Sequence, residues 1–132
     1  MILVETSVLV QFIRGETNEK VLIFEDIIKE DRPFGISVYT YAEVLQGARD
    51  KKGYEALEMY LGSQTLYYPL PGKETFKEAA TIVYNMRKNG YQARGLVDVL
   101  IAVTAIHNGL VLLHNDKDFE FIKKVEKRLR TI

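Results

Sequence analysis

Short apolar runs alternate with helix-length segments along the chain, and this alternation constrains the fold more than any other feature. Ile2-Leu3-Val4, Phe34 to Val38, Gln64 to Tyr68 and Leu110 to Leu113 read as buried strands. Helical patterns separate them. Val8 to Ile13 follows the capping-type residues Glu5-Thr6-Ser7 and stops at Arg14-Gly15. Residues 18–29 place Val21, Leu22, Phe24, Ile27 and Ile28 on an amphipathic spacing. Further helices are predicted over 39–50, Gly53 to Leu61, 73–88, Leu96 to His107 and around 117–124, with Lys127 to Ile132 as an edge strand. Pro69, Pro71-Gly72, Asn89-Gly90 and Asn108-Gly109 mark the breaks. Strands alternating with helices imply an α/β fold, a parallel sheet covered on both faces. Such sheets bind ligands at the carboxyl ends of their strands.

Length predicts one domain over residues 1–132, large enough to bury a core without disulfides or a structural metal. Cysteine is absent, which excludes disulfides, thiolate metal sites and a cysteine nucleophile, and fits a reducing cytoplasm. Met1 leads straight into Ile2-Leu3-Val4, so no secretory signal is expected, and no apolar run approaches the roughly 20 residues of a membrane span. Eighteen basic residues balance eighteen acidic ones. Contact with a nucleic acid must therefore come from a local basic patch or from metal ions.

The chemistry lies in the acids. Glu5 directly follows the first strand, and Asp116 and Asp118 follow the strand at Leu110 to Leu113. Glu43 sits in the helix after the second strand, and Asp98 lies in the most apolar helix, in Leu96-Val97-Asp98-Val99-Leu100-Ile101. Each has a plainer use. Glu5 and Asp98 suit helix first turns, Glu43 suits a solvated face, and Asp116 and Asp118 suit a turn before Phe119. Together they mean more, provided strands one and four are neighbours. Acids gathered at one rim repel unless a cation binds there, and a carboxylate among apolar residues is costly unless paired or metal-bound. Oxygen ligands of this kind suit magnesium. Zinc fits poorly, because His107 and His114 lack a metal-ligand spacing and read as structural.

Read in order, four segments resemble the motifs of the PIN-domain ribonucleases, in particular their VapC-like toxins. Ile2-Leu3-Val4-Glu5-Thr6-Ser7-Val8 is similar to the opening motif, and Phe12-Ile13-Arg14-Gly15 to the end of the first helix. Ser37 through Gly47 resembles the second motif with its acid at Glu43. Asp98-Val99-Leu100-Ile101-Ala102-Val103-Thr104-Ala105 resembles the third, and Leu112-Leu113-His114-Asn115-Asp116-Lys117-Asp118-Phe119 the fourth. The resemblance runs from residue 2 to about residue 122.

The resemblance implies a three-layer sandwich with a central, mostly parallel sheet flanked by helices. It implies a magnesium-dependent endoribonuclease, with manganese as a substitute ion, that is a homodimer and the toxin neutralised by a cognate antitoxin in a type II toxin–antitoxin pair. Carried over by position, Glu5, Glu43, Asp98 and Asp116 are the catalytic and metal-site acids, with Asp118 assisting. Thr6 and Ser7 face the scissile phosphate, and Arg14, Arg87, Lys88 and Arg94 are candidates for phosphate contact. One position departs from the family pattern: its first acid is almost always aspartate, and here it is Glu5. The extra methylene shifts the carboxylate by about 1.5 Å, a large step for an ion that wants octahedral geometry at roughly 2.0–2.1 Å.

Two rival readings use similar sheets. An aspartyl-type phosphatase needs acid-x-acid after its first strand, where Glu5-Thr6-Ser7 offers one acid, and a receiver domain needs an acid after a middle strand and a lysine after the last. Neither pattern fits. The other rival is a PIN fold that binds RNA or a partner without cleaving.

Overall fold

The computed structural model describes residues 1–92 and 95–132. Its elements run β1 (Ile2–Val4), α1 (Thr6–Ile13), α2 (Glu19–Lys29), β2 (Phe34–Ser37), α3 (Val38–Gln46), α4 (Lys51–Gly62), β3 (Leu66–Tyr67), α5 (Lys73–Lys88), α6 (Leu96–His107), β4 (Val111–Leu113), α7 (Asp118–Val125) and β5 (Arg130–Thr131). The strands form one parallel sheet in the order β3-β2-β1-β4-β5. The mostly parallel sheet read from the sequence is thus parallel throughout.

The period-two geometry of strands divides the apolar residues between two cores. Leu3 and Leu112 face a core built with Ala79, Ile82 and Met86 of α5, the buried stretch Val99 to Ala105 of α6, and Phe119 and Ile122 of α7. Val4, Ile36 and Leu113 face the opposite core with Val8, Leu9, Phe24, Ile27, Val44, Leu45 and Leu61 from α1 to α4. Phe24 lies edge-on to both Phe12 and Phe34, tying α1 and α2 to the start of β2. The three central strands β1, β2 and β4 are largely buried on both faces, as central parallel strands are, while the edge strands β3 and β5 are more open.

Side-chain caps set several boundaries that apolar spacing alone misplaces. Ser37 accepts from the Thr40 N–H at 3.0 Å, so α3 starts at Val38 instead of the strand continuing through it. The helix ends at Gln46 with Gly47 as its cap, short of residue 50. Asp50 then accepts from the Gly53 N–H at 2.7 Å and starts α4 at Lys51, two residues before Gly53. In the tail, strand pairing is confined to Arg130–Thr131. Gly35 is required where β2 meets β3, because a Cβ there would lie 2.4 Å from the Tyr67 ring and 2.7 Å from the Thr65 carbonyl oxygen. No helix among the described residues is long and apolar enough to cross a membrane.

Candidate active site

The sheet reverses its direction of growth at β1. β2 and β3 extend to one side, β4 and β5 to the other. The carboxyl ends of β1 and β4 are therefore a topological switch point, the expected ligand crevice of such a sheet. Val4 pairs with Leu113, and the Glu5 N–H continues the ladder to the Leu113 carbonyl at 2.9 Å. This places Glu5 beside the loop that carries Asp116 and Asp118.

Glu5 serves as the N-cap of α1. Its Oε2 accepts from the Ser7 N–H at 2.8 Å and from the Ser7 hydroxyl. The Ser7 hydroxyl oxygen in turn accepts the Asn115 N–H at 2.9 Å, linking the first helix to the loop after β4. Capping is thus a real role of Glu5, but not the whole of it. The residue is only 4% exposed. Burial pushes its carboxyl up to about 7, against the pull of the Ser7 bonds, with Asp98 and Glu43 adding repulsion.

Asp98 enters from the first turn of α6. Burial raises its carboxyl to about 6, and the charges of Asp116, Glu43 and Asp118 push in the same direction. The five acids singled out from the sequence are therefore in electrostatic contact through Glu5 and Asp98. Oxygens of Asp98, Asp116 and Asp118 lie within 4.8 Å of one another, the one such group of acids or histidines among the described residues. Asp116 Oδ1 accepts the Asp118 N–H at 3.0 Å, a tight turn that brings both carboxylates to one side.

Glu43 approaches from α3, where its Oε1 accepts the Thr6 hydroxyl at 2.6 Å. The hydroxyls of Thr6 and Ser7 are thus directed at the two glutamates. Arg14, the C-cap of α1, lines with Glu43 a cavity of about 240 Å³ that also includes Val10, Ile13, Gly47 and Leu57. Arg87 and Lys88 end α5 at the exposed surface. Arg94 lies outside the described residues.

Both histidines are committed to the scaffold. His114 Nδ1 accepts the Asp116 N–H at 3.2 Å, which leaves the proton on Nε2 to donate to Glu120 at 2.7 Å. Burial holds this imidazole below its ordinary pKa, consistent with that neutral tautomer. His107 Nδ1 accepts the Leu70 N–H at 2.9 Å and its Nε2 faces Glu78 at 2.8 Å. Tyr39 and Tyr67 pack against one core and Tyr41 against the other, while Tyr68 stays exposed.

The family model for the PIN domain matches residues 2–125. The chain belongs to the PIN-domain family. Among its similar relatives, the VapC ribonuclease Mb1587 of Mycobacterium bovis and ribonuclease VapC11 of Mycobacterium tuberculosis are each 28% identical over 131 residues, covering 95% of this chain and 93% of theirs. Its fold is shared with VapBC-1 of nontypeable Haemophilus influenzae at a TM-score of 0.73 and 22% identity, over 100% of this chain and 97% of that one. VapBC2 of Rickettsia felis, solved bound to a promoter DNA fragment, aligns at 0.72 and 20% identity, over 100% and 98%. The parallel five-stranded sheet with helices on both faces is the fold these PIN structures share.

Asp118, read from the sequence as sitting beside the other acids, is one of the three whose oxygens lie within 4.8 Å. One feature of this PIN site was not read from the sequence, a hydroxyl chain behind Glu43, in which Thr6 Oγ1 lies 3.0 Å from Thr40 Oγ1 and Ser37 Oγ lies 3.2 Å from it. Its signal is the three-residue step from Ser37 to Thr40 to Glu43, one helical face.

Proposed function

We propose that this chain is a divalent-metal-dependent endoribonuclease, a single PIN domain over residues 1–132, that hydrolyses RNA phosphodiesters as the toxin of a type II toxin–antitoxin pair. The observation that carries the reading is the meeting of Asp98, Asp116 and Asp118 within 4.8 Å at the switch point, with Glu5 and Glu43 in electrostatic reach. The names of the VapC ribonucleases and the VapBC complexes support it.

The donor set fits a hard cation. All the candidate ligands are carboxylate oxygens, which suit magnesium or manganese. Burial is the main cause of the raised carboxyls of Glu5 and Asp98, with neighbouring acid charges adding to it, and a bound cation would offset both. Asp98, Asp116 and Asp118 would hold the ion, with Glu43 and Glu5 completing the site. Such an ion supplies Lewis-acid stabilisation of the phosphate and lowers the pKa of a water for attack. Within the chain, Thr6 orients Glu43, and Ser7 holds Glu5 against the end of α1. Arg14 is placed to meet a phosphate or an acidic partner group beside Glu43.

The antitoxin would lie across the groove above the acids and insert a basic side chain among them. The homodimer would use apolar surface on the helices around residues 18–61, where Leu22, Ile28, Tyr54 and Met59 are exposed. Cleavage of single-stranded RNA across a magnesium series, with a chelator control, tests the activity. No cleavage at saturating metal would reject it.

A second reading, a PIN fold that binds RNA or a partner without cutting, is favoured by Glu5, because its Oε2 is already engaged by Ser7. RNA binding that persists without cleavage in any divalent metal would select it.

A further inference from the structure

We propose that Thr40 is a positioning residue of the active site, orienting Thr6 and through it the Glu43 carboxylate. The inference rests on the divalent-metal reading of the pocket. Thr40 is fully buried in α3, one turn before Glu43. Its Oγ1 lies between two other hydroxyls, 3.0 Å from Thr6 and 3.2 Å from Ser37.

Proton accounting gives the chain a direction. Each hydroxyl has a single proton. Thr6 sits 2.6 Å from Glu43 Oε1 and 3.0 Å from Thr40, so its proton belongs to the nearer carboxylate oxygen. The Thr6 oxygen is then an acceptor for the Thr40 proton. Thr40 in turn accepts from Ser37, whose oxygen is held by the Thr40 N–H at 3.0 Å. That backbone donor cannot turn around. With one proton for each contact, every O–H then points toward Glu43, and the carboxylate end sets the sense.

Hydrogen bonds aligned in one sense polarise one another. The Thr6–Glu43 bond is also charge-assisted and leaves Glu43 Oε2 for other partners. Without the Thr40 hydroxyl, the Thr6 rotor and the carboxylate it holds both gain freedom. Thr40 itself touches neither RNA nor ion in this arrangement.

The test is Thr40→Val, which keeps the shape and removes the hydroxyl, with Thr40→Ser as the rescue. Manganese affinity is measured by calorimetry, and cleavage is measured as kcat and KM separately. Thr40→Val is expected to weaken manganese binding about threefold and lower kcat about tenfold with KM for RNA unchanged, the scale of weakening one charge-assisted bond. Thr40→Ser should restore both. In a Glu43→Ala background, Thr40→Val should cost no further manganese affinity, because the chain then ends on nothing. A lower melting temperature with unchanged manganese affinity and kcat would overturn the inference and leave Thr40 as packing. If Thr40→Val does not fold, Thr40→Ala against Thr40→Ser gives the same comparison. If Glu43→Ala itself leaves manganese affinity and cleavage intact, Glu43 has no part in the site and the positioning role falls with it, whereas a parent chain that binds no manganese would fail the metal reading. If Glu43→Ala is inactive but Thr40→Val is silent, only the positioning role fails.

Discussion

The two sides of the acid pocket are built differently. On the β1–β2 side the acids are glutamates, each steadied by a hydroxyl: Ser7 for Glu5 and Thr6 for Glu43. On the α6–β4 side they are aspartates, placed by a helix first turn and a tight turn. A glutamate has one more rotatable bond than an aspartate, so holding its carboxylate to one position costs more side-chain entropy. Hydroxyl tethers offset that cost for the long side chains. Short side chains on rigid backbone avoid it. On the proposed metal reading, the comparison makes the rigidly placed aspartates the centre of the site and the tethered glutamates its flank.

The largest expected effect comes from breaking the aspartate side. Asp98→Asn should lower RNA cleavage roughly a thousandfold, the upper range for losing one charge-stabilising group. It should also weaken manganese binding measured by calorimetry. Comparable binding and cleavage in the variant would move the centre of the site to the glutamates.

The glutamate side is next tested by pH. The Glu5 carboxyl rises from 4.5 to about 7 on folding, so between those values the folded chain holds a proton that the unfolded chain has released. The contribution of Glu5 to stability without metal is therefore full below about pH 4.5 and is lost as pH rises to about 7, roughly 3 kcal/mol in all. Asp98, raised to about 6, adds a decline in the same direction. Melting curves from pH 4 to 8 should show this fall as the difference between the parent and Glu5→Gln, because His114, Glu78, Glu120 and Glu126 pull the other way in both. A variant with the same pH dependence as the parent would place the strain elsewhere.

Glu5→Asp sharpens the comparison by making both sides alike. Shortening the side chain should raise cleavage about tenfold, within the hundredfold that positioning errors near 1 Å can cost. Side-by-side rates across a magnesium series decide it, and equal rates would mean that the backbone already accommodates glutamate. The smallest effect is expected from Ser7→Ala. It removes one tether of Glu5 and the partner of the Asn115 N–H, and should cost about 1 kcal/mol in denaturant unfolding. No change would show that the backbone bond from Ser7 suffices.

The sequence carried the element order well, because each strand is a short apolar run and each helix has its own spacing. Glu5 and Asp116 stood out because they follow strands, Glu43 because it lies in the helix after the second strand, and Asp98 because it interrupts the most apolar helix. Boundaries were less legible where one polar side chain decides them, as Ser37 and Asp50 do. Strand order was not legible either. Nothing local in Ile2-Leu3-Val4 says that its neighbour is Val111–Leu113, and the proximity of Asp118 to Asp98 depends on that pairing. The hydroxyl chain was hidden for the same reason, since Thr6 and Thr40 meet only once β1 and β2 pair.

The central place of β1 has a consequence for the order in which a newly made chain can assemble. Its first partner, β2, emerges soon after it, but its second, β4, begins only at Val111. Until then one edge of β1 stays open, and Glu5, Glu43 and Asp98 have no Asp116 or Asp118 beside them. Closing so long a loop is a late and entropically costly contact. A chain translated only as far as α6 therefore carries Glu5, Glu43 and Asp98 but lacks two of the three acids of the close triad. A site of this build stays incomplete while the ribosome is still making the first six helices.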